Sequence, residues 1–254
     1  MTKGFLYVGS VRKWFYNMAC MSADSLRDVA PDANIVLYTH ESFVDSRAKS
    51  FDQIITNIPY HSRAKMWCCA RSPFDQTAYI DSDTLIVSDE VTSIFDEAKD
   101  NDIAFTPVLP NSAGRAEWQY ADKEMKHQLS CHGGIYVSKK TELVDDFLQT
   151  WFDEFHKQIT TDNVSLQKYY PRENLAWDML TLWRLMNEEK FSRFKKLKIS
   201  NELDTKFNYT PYNPVNNFPV ITHYLKQLYR NMDKTNEIFA LEEQKPDKNP
   251  IQYQ

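Results

Sequence analysis

Thr77-Ala78-Tyr79-Ile80-Asp81-Ser82-Asp83-Thr84-Leu85-Ile86-Val87 sets two carboxylates directly behind a short apolar run. Thr77 to Ile80 reads as a buried strand, with Asp81 at its carboxyl-terminal edge. Side chains at i and i+2 of an extended chain point the same way, so Asp81 and Asp83 converge if the backbone stays extended. Two negative charges held that close repel unless a cation or a proton lies between them. Hard divalent ions such as Mg²⁺ and Mn²⁺ suit carboxylate oxygen. An ion held there could bridge a diphosphate and stabilise it as a leaving group. A capped turn after a strand accounts for the same residues without any chemistry, so the motif has to be weighed with its surroundings.

Toward the amino terminus, Phe5 to Val8 predicts a first strand that ends at Gly9-Ser10, followed by a helix around Asn17–Val29 that Pro31-Asp32 stops. Asn34 to Tyr38 predicts a second strand. Arg63 to Arg71 predicts a helix, with Ala64, Trp67, Cys68 and Arg71 at i, i+3, i+4 and i+7, and Ser72-Pro73 ends it. Toward the carboxyl terminus, Ile103–Thr106 and Ile135–Val137 are strand candidates, and the polar stretch Pro110 to Ser130 between them reads as a loop bordering a site. Thr141 to Lys157 carries one apolar stripe of Val144, Phe147, Leu148, Trp151 and Phe155 and predicts a helix. A second helix is expected over Glu173–Glu188 and a last strand at Val220–Thr222. Alternating strands and helices in the first half predict an α/β fold with an open, mostly parallel sheet. Such sheets bind ligands beyond the carboxyl ends of their strands, where Gly9 and Asp81 both fall. With no internal repeat or linker, residues 1–254 read as one domain, and residues after about 237 as a charged, loosely held tail.

Composition bounds the functional classes. An apolar fraction of 42% in 254 residues suffices for a core without disulfides. The four cysteines (Cys20, Cys68, Cys69 and Cys131) show no CxxC spacing and read as reduced thiols of a reducing compartment. No stretch approaches the ~20 apolar residues of a membrane span, and the run after Met1 is too short for a signal-peptide core, so a cytoplasmic protein is expected. A formal net charge of −5 weighs against a nucleic-acid binder.

The stretch from Lys65-Met66-Trp67 through Tyr79-Ile80-Asp81-Ser82-Asp83-Thr84-Leu85-Ile86-Val87 resembles the glycogenin-like transferases of glycosyltransferase family 8. In those a lysine precedes the first motif aspartate by sixteen residues, as Lys65 precedes Asp81, and Asp-x-Asp-Thr-Leu is matched. The resemblance implies a GT-A fold, a single Rossmann-like domain with helices flanking a twisted sheet. It also implies that the aspartates hold Mn²⁺ (or Mg²⁺) and that Lys65 contacts a nucleotide sugar. Cys131-His132-Gly133-Gly134 stands where the family has Asn-Ser-Gly, with His132 replacing the asparagine and the glycines allowing close approach to a sugar. Glu173-Asn174 stands where the family has an Asp-Gln pair near the reacting sugar, and Asp178 is an alternative for that role. Thr222-His223-Tyr224 follows a strand as the family's third metal ligand does, which assigns His223 to the metal. Tyr229 occupies the position of the family's diphosphate lysine, leaving Lys226 or Arg230 to substitute. A phosphatase-like reading also begins with Asp-x-Asp, but that class usually has Thr or Val where this chain has Leu85.

The function implied is metal-dependent transfer of a sugar, hexosyl or pentosyl, from a nucleotide-diphosphate sugar to an acceptor hydroxyl. The acceptor expected is a carbohydrate or glycoconjugate, with retention of configuration if the resemblance extends to mechanism. Asp81, Asp83, Glu173 and Asp178 are the catalytic candidates. Gly9, Ser10, Lys65, Ser82, His132, Gly133, Gly134, Lys226 and Arg230 are the donor-binding candidates, and Asp81, Asp83 and His223 are the metal ligands. Two alternatives stand beside this: a non-catalytic nucleotide-sugar-binding protein of the same fold, and a nucleotidyltransferase releasing pyrophosphate.

Overall fold

The strand alternation of the first half builds a six-stranded sheet whose two faces carry separate cores. The computed structural model describes residues 1–107, 131–160, 178–186, 188–191, 206–207 and 220–223. Strands β1 (Lys3–Gly9), β2 (Ile35–Thr39) and β4 (Gln76–Ile80) are buried on both faces apart from Lys3, which is why they read as continuous apolar runs. Period-2 alternation divides them between the layers. Phe5, Tyr7, Ile35, Leu37, Ala78 and Ile80 join one core, while Leu6, Val8, Val36, Tyr38 and Tyr79 join the other. Helix α1 (Lys13–Val29) covers the first face with Tyr16, Ala19, Cys20, Ala23 and Leu26. The stripe of helix α3 (Glu142–Thr160) covers the second with Val144, Phe147, Leu148, Trp151 and Phe155. The sequence expectation for both helices holds, with boundaries moved by a few residues.

Sheet order is β3-β2-β1-β4-β7-β6. β3 (Gln53–Ile55), β2, β1 and β4 run parallel. β7 (Cys131–Lys139) is antiparallel to β4, and β6 (Ile103–Pro107) is antiparallel to β7. The chain leaves β1 toward β2 on one side, while β4 lies on the other. That reversal puts a topological switch point at the carboxyl ends of β1 and β4. A second sheet, which sequence patterning does not reveal, pairs β5 (Thr84–Ile86) with β8 (Ile221–His223) in antiparallel register, with Thr84 opposite His223. Helix α2 (Lys65–Cys69) is shorter than expected, and helix α4 (Asp178–Met186) supplies the described part of the last helix. The stretch 108–130 and the tail from 237 lie outside the described residues. Among the described residues no helix is long and apolar enough to cross a membrane.

The turn leaving β1 is tight for identifiable reasons. A Cβ on Gly9 would lie 2.7 Å from Tyr16 Cα, so only glycine lets α1 pack down onto the strand end. Val11 sits at φ 69°, and the Arg12 amide donates to the Ser10 carbonyl at 2.8 Å across it. A β-branched residue in that region stores on the order of 1–3 kcal/mol. The Tyr60 hydroxyl donates to the Val11 carbonyl at 2.7 Å and helps hold the turn.

Candidate active site

Asp81 and Asp83 converge, but not by strand alternation. The chain leaves extended geometry at Asp81 and turns through Ser82-Asp83 before β5 begins. The Thr84 hydroxyl closes that turn by donating to the Asp81 carbonyl at 2.9 Å, and Ser82 is buried within it. The β5–β8 ribbon then carries His223 to Asp83, with Nδ1 3.4 Å from Oδ1. One ligand atom from each of Asp81, Asp83 and His223 lies within 4.8 Å of the others. Two carboxylates and an imidazole at that separation form a donor set that fits a divalent metal ion. Burial pushes the Asp81 carboxyl above its ordinary value; Lys65 opposes that shift and Asp83 adds to it. A divalent ion would relieve the penalty that burial and the neighbouring charge impose on ionised Asp81.

Behind Asp81 lies a network of charges. The Tyr79 hydroxyl donates to Asp81 Oδ1 at 2.6 Å, fixing one oxygen of the carboxylate. Lys65, its side chain only 10% exposed, donates to the Gly133 carbonyl at 2.7 Å. Its Nζ lies 3.3 Å from Asp178 Oδ2, 3.8 Å from Asp81 Oδ1 and 5.4 Å from the centre of the Tyr79 ring. Asp178, 6% exposed at the start of α4, also accepts from Arg63 Nε at 3.1 Å. Trp151 Nε1 donates to the Asp178 carbonyl at 2.9 Å and ties α4 to α3. Gly133 presses against Trp151, where a Cβ would meet the ring at 2.8 Å. These contacts place Lys65, Gly133, Asp178 and Asp81 around one point at the carboxyl end of β4.

An open cleft runs over this point, lined by Ser10 and Phe15 from the β1 end, Ser62 to Lys65, and Tyr79 to Ser82 without Ile80. Gly9 serves close packing on α1, and the Ser10 hydroxyl is engaged in donating to the His61 carbonyl at 3.0 Å. Gly134 accepts from the Asp81 amide at 3.0 Å. His132 lies in β7 opposite Thr106. Glu173, Lys226 and Arg230 lie outside the described residues. Arg63, Tyr79 and His61 belong to the site's framework and were not found from sequence. Arg63 and Tyr79 flank the recognised Lys65 and Asp81 at a spacing of two, which is the one signal that could have drawn attention to them.

His61 connects the β1 turn to this network. Its Nδ1 accepts from the Arg63 amide at 3.0 Å while its ring packs on Phe152 and Phe155. Burial, with smaller contributions from His156 and Arg63, pushes its pKa from 6.5 down to about 4. The folded chain therefore favours neutral His61, and the unfolded chain binds the extra proton. Stability from this group is complete above the unfolded value of 6.5 and is lost as pH falls toward about 4. The loss should reach about 3 kcal/mol. Urea unfolding between pH 7.5 and 4.5 should show a steeper decline for the native chain than for His61→Asn, which keeps an acceptor for the Arg63 amide. Equal declines would count against it.

No protein-family model matches the chain, and no curated protein matches it significantly. Solved structures do. Galactosyltransferase LgtC with donor and acceptor sugar analogues is similar over 87% of this chain and 86% of its own, at 12% identity and a TM-score of 0.50. The apo glycosyltransferase GlyE of Streptococcus pneumoniae is similar over 98% of this chain, at 15% identity and a TM-score of 0.56. This chain spans 66% of the GlyE chain. Mouse xyloside xylosyltransferase 1 is similar over 88% of this chain and 97% of its own, at 10% identity and a TM-score of 0.53. At such identities the likeness is one of fold: a mixed α/β architecture with a mostly parallel central sheet flanked by helices, the GT-A arrangement of these glycosyltransferases.

Proposed function

We propose that this chain is a metal-dependent glycosyltransferase that moves a sugar from a nucleotide-diphosphate donor to the hydroxyl of a carbohydrate or glycoconjugate. The observation carrying this reading is the convergence of Asp81, Asp83 and His223 beside a cleft at the switch point of a GT-A sheet. These three residues would hold Mn²⁺ or Mg²⁺, which when bound offsets charge on a departing diphosphate. Gly9 and Ser10 would border the base or ribose, and Ser82, His132, Gly133 and Gly134 would border the donor. Lys65 holds the Gly133 carbonyl, Asp178 and Asp81 in one arrangement and so presets the floor on which the donor sugar lies. Asp178, shared between two cations, serves by fixing Arg63 and Lys65 rather than as a free base. Glu173 keeps the catalytic role near the reacting sugar, and Lys226 or Arg230 the diphosphate-binding role, that the family resemblance implies. Retention of configuration is part of the same proposal.

The test is a panel of nucleotide sugars screened for thermal stabilisation with and without Mn²⁺. A ligand present at 100 times its Kd adds about 2.7 kcal/mol to the folded state. One donor should stabilise the chain only when Mn²⁺ is present. Stabilisation that is indifferent to Mn²⁺, or none across the panel, would contradict the reading.

A further inference from the structure

Among the described residues two cations line this cleft, and they are not equivalent. Lys65 is nearly buried, and its ammonium is committed to the Gly133 carbonyl and Asp178. Arg63 lines the same cleft with its side chain 40% exposed. Among the described residues its side-chain hydrogen bonding is confined to Nε, which donates to Asp178 Oδ1 at 3.1 Å. One edge of a planar guanidinium is thus clamped by a buried carboxylate, while the Nη groups remain to serve a ligand. The clamp removes rotamer freedom in advance, which lowers the entropic penalty of binding. Nearness to Asp81 and Tyr79 is felt electrostatically by Arg63, so the guanidinium and the metal-ligating carboxylates act on the same region.

Charge counting points the same way. Among the described residues, Lys65, Arg63 and a divalent ion bring four positive charges against three from Asp81, Asp83 and Asp178. That one-charge surplus suits an anion, and Arg63 is an exposed cation placed to meet it. We infer that Arg63 is an anion-binding residue of the cleft, its Nη groups taking phosphate oxygens of the donor's diphosphate while Asp178 holds its Nε. This rests on the donor reading proposed above, and it adds a phosphate contact from a residue that the family motif does not contain.

Inorganic pyrophosphate serves as the probe, because it presents the diphosphate without base or sugar. Mn²⁺ uptake is first followed by electron paramagnetic resonance, and pyrophosphate is then titrated calorimetrically into the Mn²⁺-loaded chain. Native protein, Arg63→Gln and Arg63→Lys are compared, with circular dichroism confirming that each is folded. Arg63→Gln should take up Mn²⁺ nearly as the native chain does and bind pyrophosphate about tenfold to a hundredfold more weakly. Arg63→Lys keeps a positive charge beside Asp178, and should lie between the two. If Arg63→Gln does not fold, weakening in Arg63→Lys carries the test. Pyrophosphate affinity unchanged by substitution, even with a lowered Tm, would overturn the assignment in favour of a purely structural role. So would a native chain that takes up Mn²⁺ but does not bind pyrophosphate. A native chain that takes up no Mn²⁺ contradicts the metal reading instead; pyrophosphate alone is then titrated, and the same comparison decides Arg63.

Discussion

Asp83→Asn should lower sugar transfer by at least about 100-fold while leaving the fold intact. Removing one preorganised electrostatic group at a reacting centre typically reduces turnover by 10²–10³-fold. Here the substitution also takes away a ligand atom that sits with Asp81 and His223 within 4.8 Å. The fold should not suffer, because the Asp83 side chain is 27% exposed and its charge lies beside that of Asp81. Neutralising it relieves a repulsion that an ion-free chain has to bear, so Tm without metal should hold steady or rise. Transfer assays at saturating Mn²⁺, paired with thermal unfolding in EDTA, check both halves. Activity within a few-fold of native, or a large drop in Tm, would contradict this role for Asp83.

Lys65 should behave in the opposite way, with stability and activity lost together. Lys65→Met keeps much of the buried stem but takes a cation away from both Asp178 and Asp81. Breaking a buried ion pair from one side typically costs 3–5 kcal/mol, because an uncompensated charge stays behind. For a chain of this size that corresponds to a Tm lower by roughly 10 °C. The double variant Lys65→Met/Asp178→Asn removes the stranded charge, so it should recover part of the lost stability while transfer stays low. Coupling of this kind is read directly from a double-mutant cycle. Strictly additive losses would show that the two side chains do not sense each other.

The contrast between these residues follows what the sequence could and could not disclose. β1, β2 and β4 are buried on both faces, so their apolar runs were legible, and so was the stripe of α3. Asp81 was legible as the end of such a run. The last strand was expected at Val220–Thr222, but its pairing with β5 was not legible, since β5 has three residues and the pairing joins distant parts of the chain. Without that ribbon, His223 could be linked to Asp83 only by resemblance, whereas the structure supplies the physical link. β3 was missed because its half-exposed pattern carries no alternation. Arg63, Tyr79 and His61 were missed for a different reason. Their importance comes from partners brought in by other elements: Asp178 on α4, the Asp81 turn, and the phenylalanines of α3. A titratable residue beside a short helix looks like a solvated charge until its partner is known.

The central claim is that Asp81, Asp83 and His223 hold a divalent ion that the transfer requires. It is tested most directly by measuring release of nucleoside diphosphate from the stabilising nucleotide sugar, first in excess EDTA and then after Mn²⁺ is restored. Release should be abolished by EDTA and return on titration with Mn²⁺ in the native chain but not in Asp83→Asn. Full turnover in excess EDTA would contradict the claim.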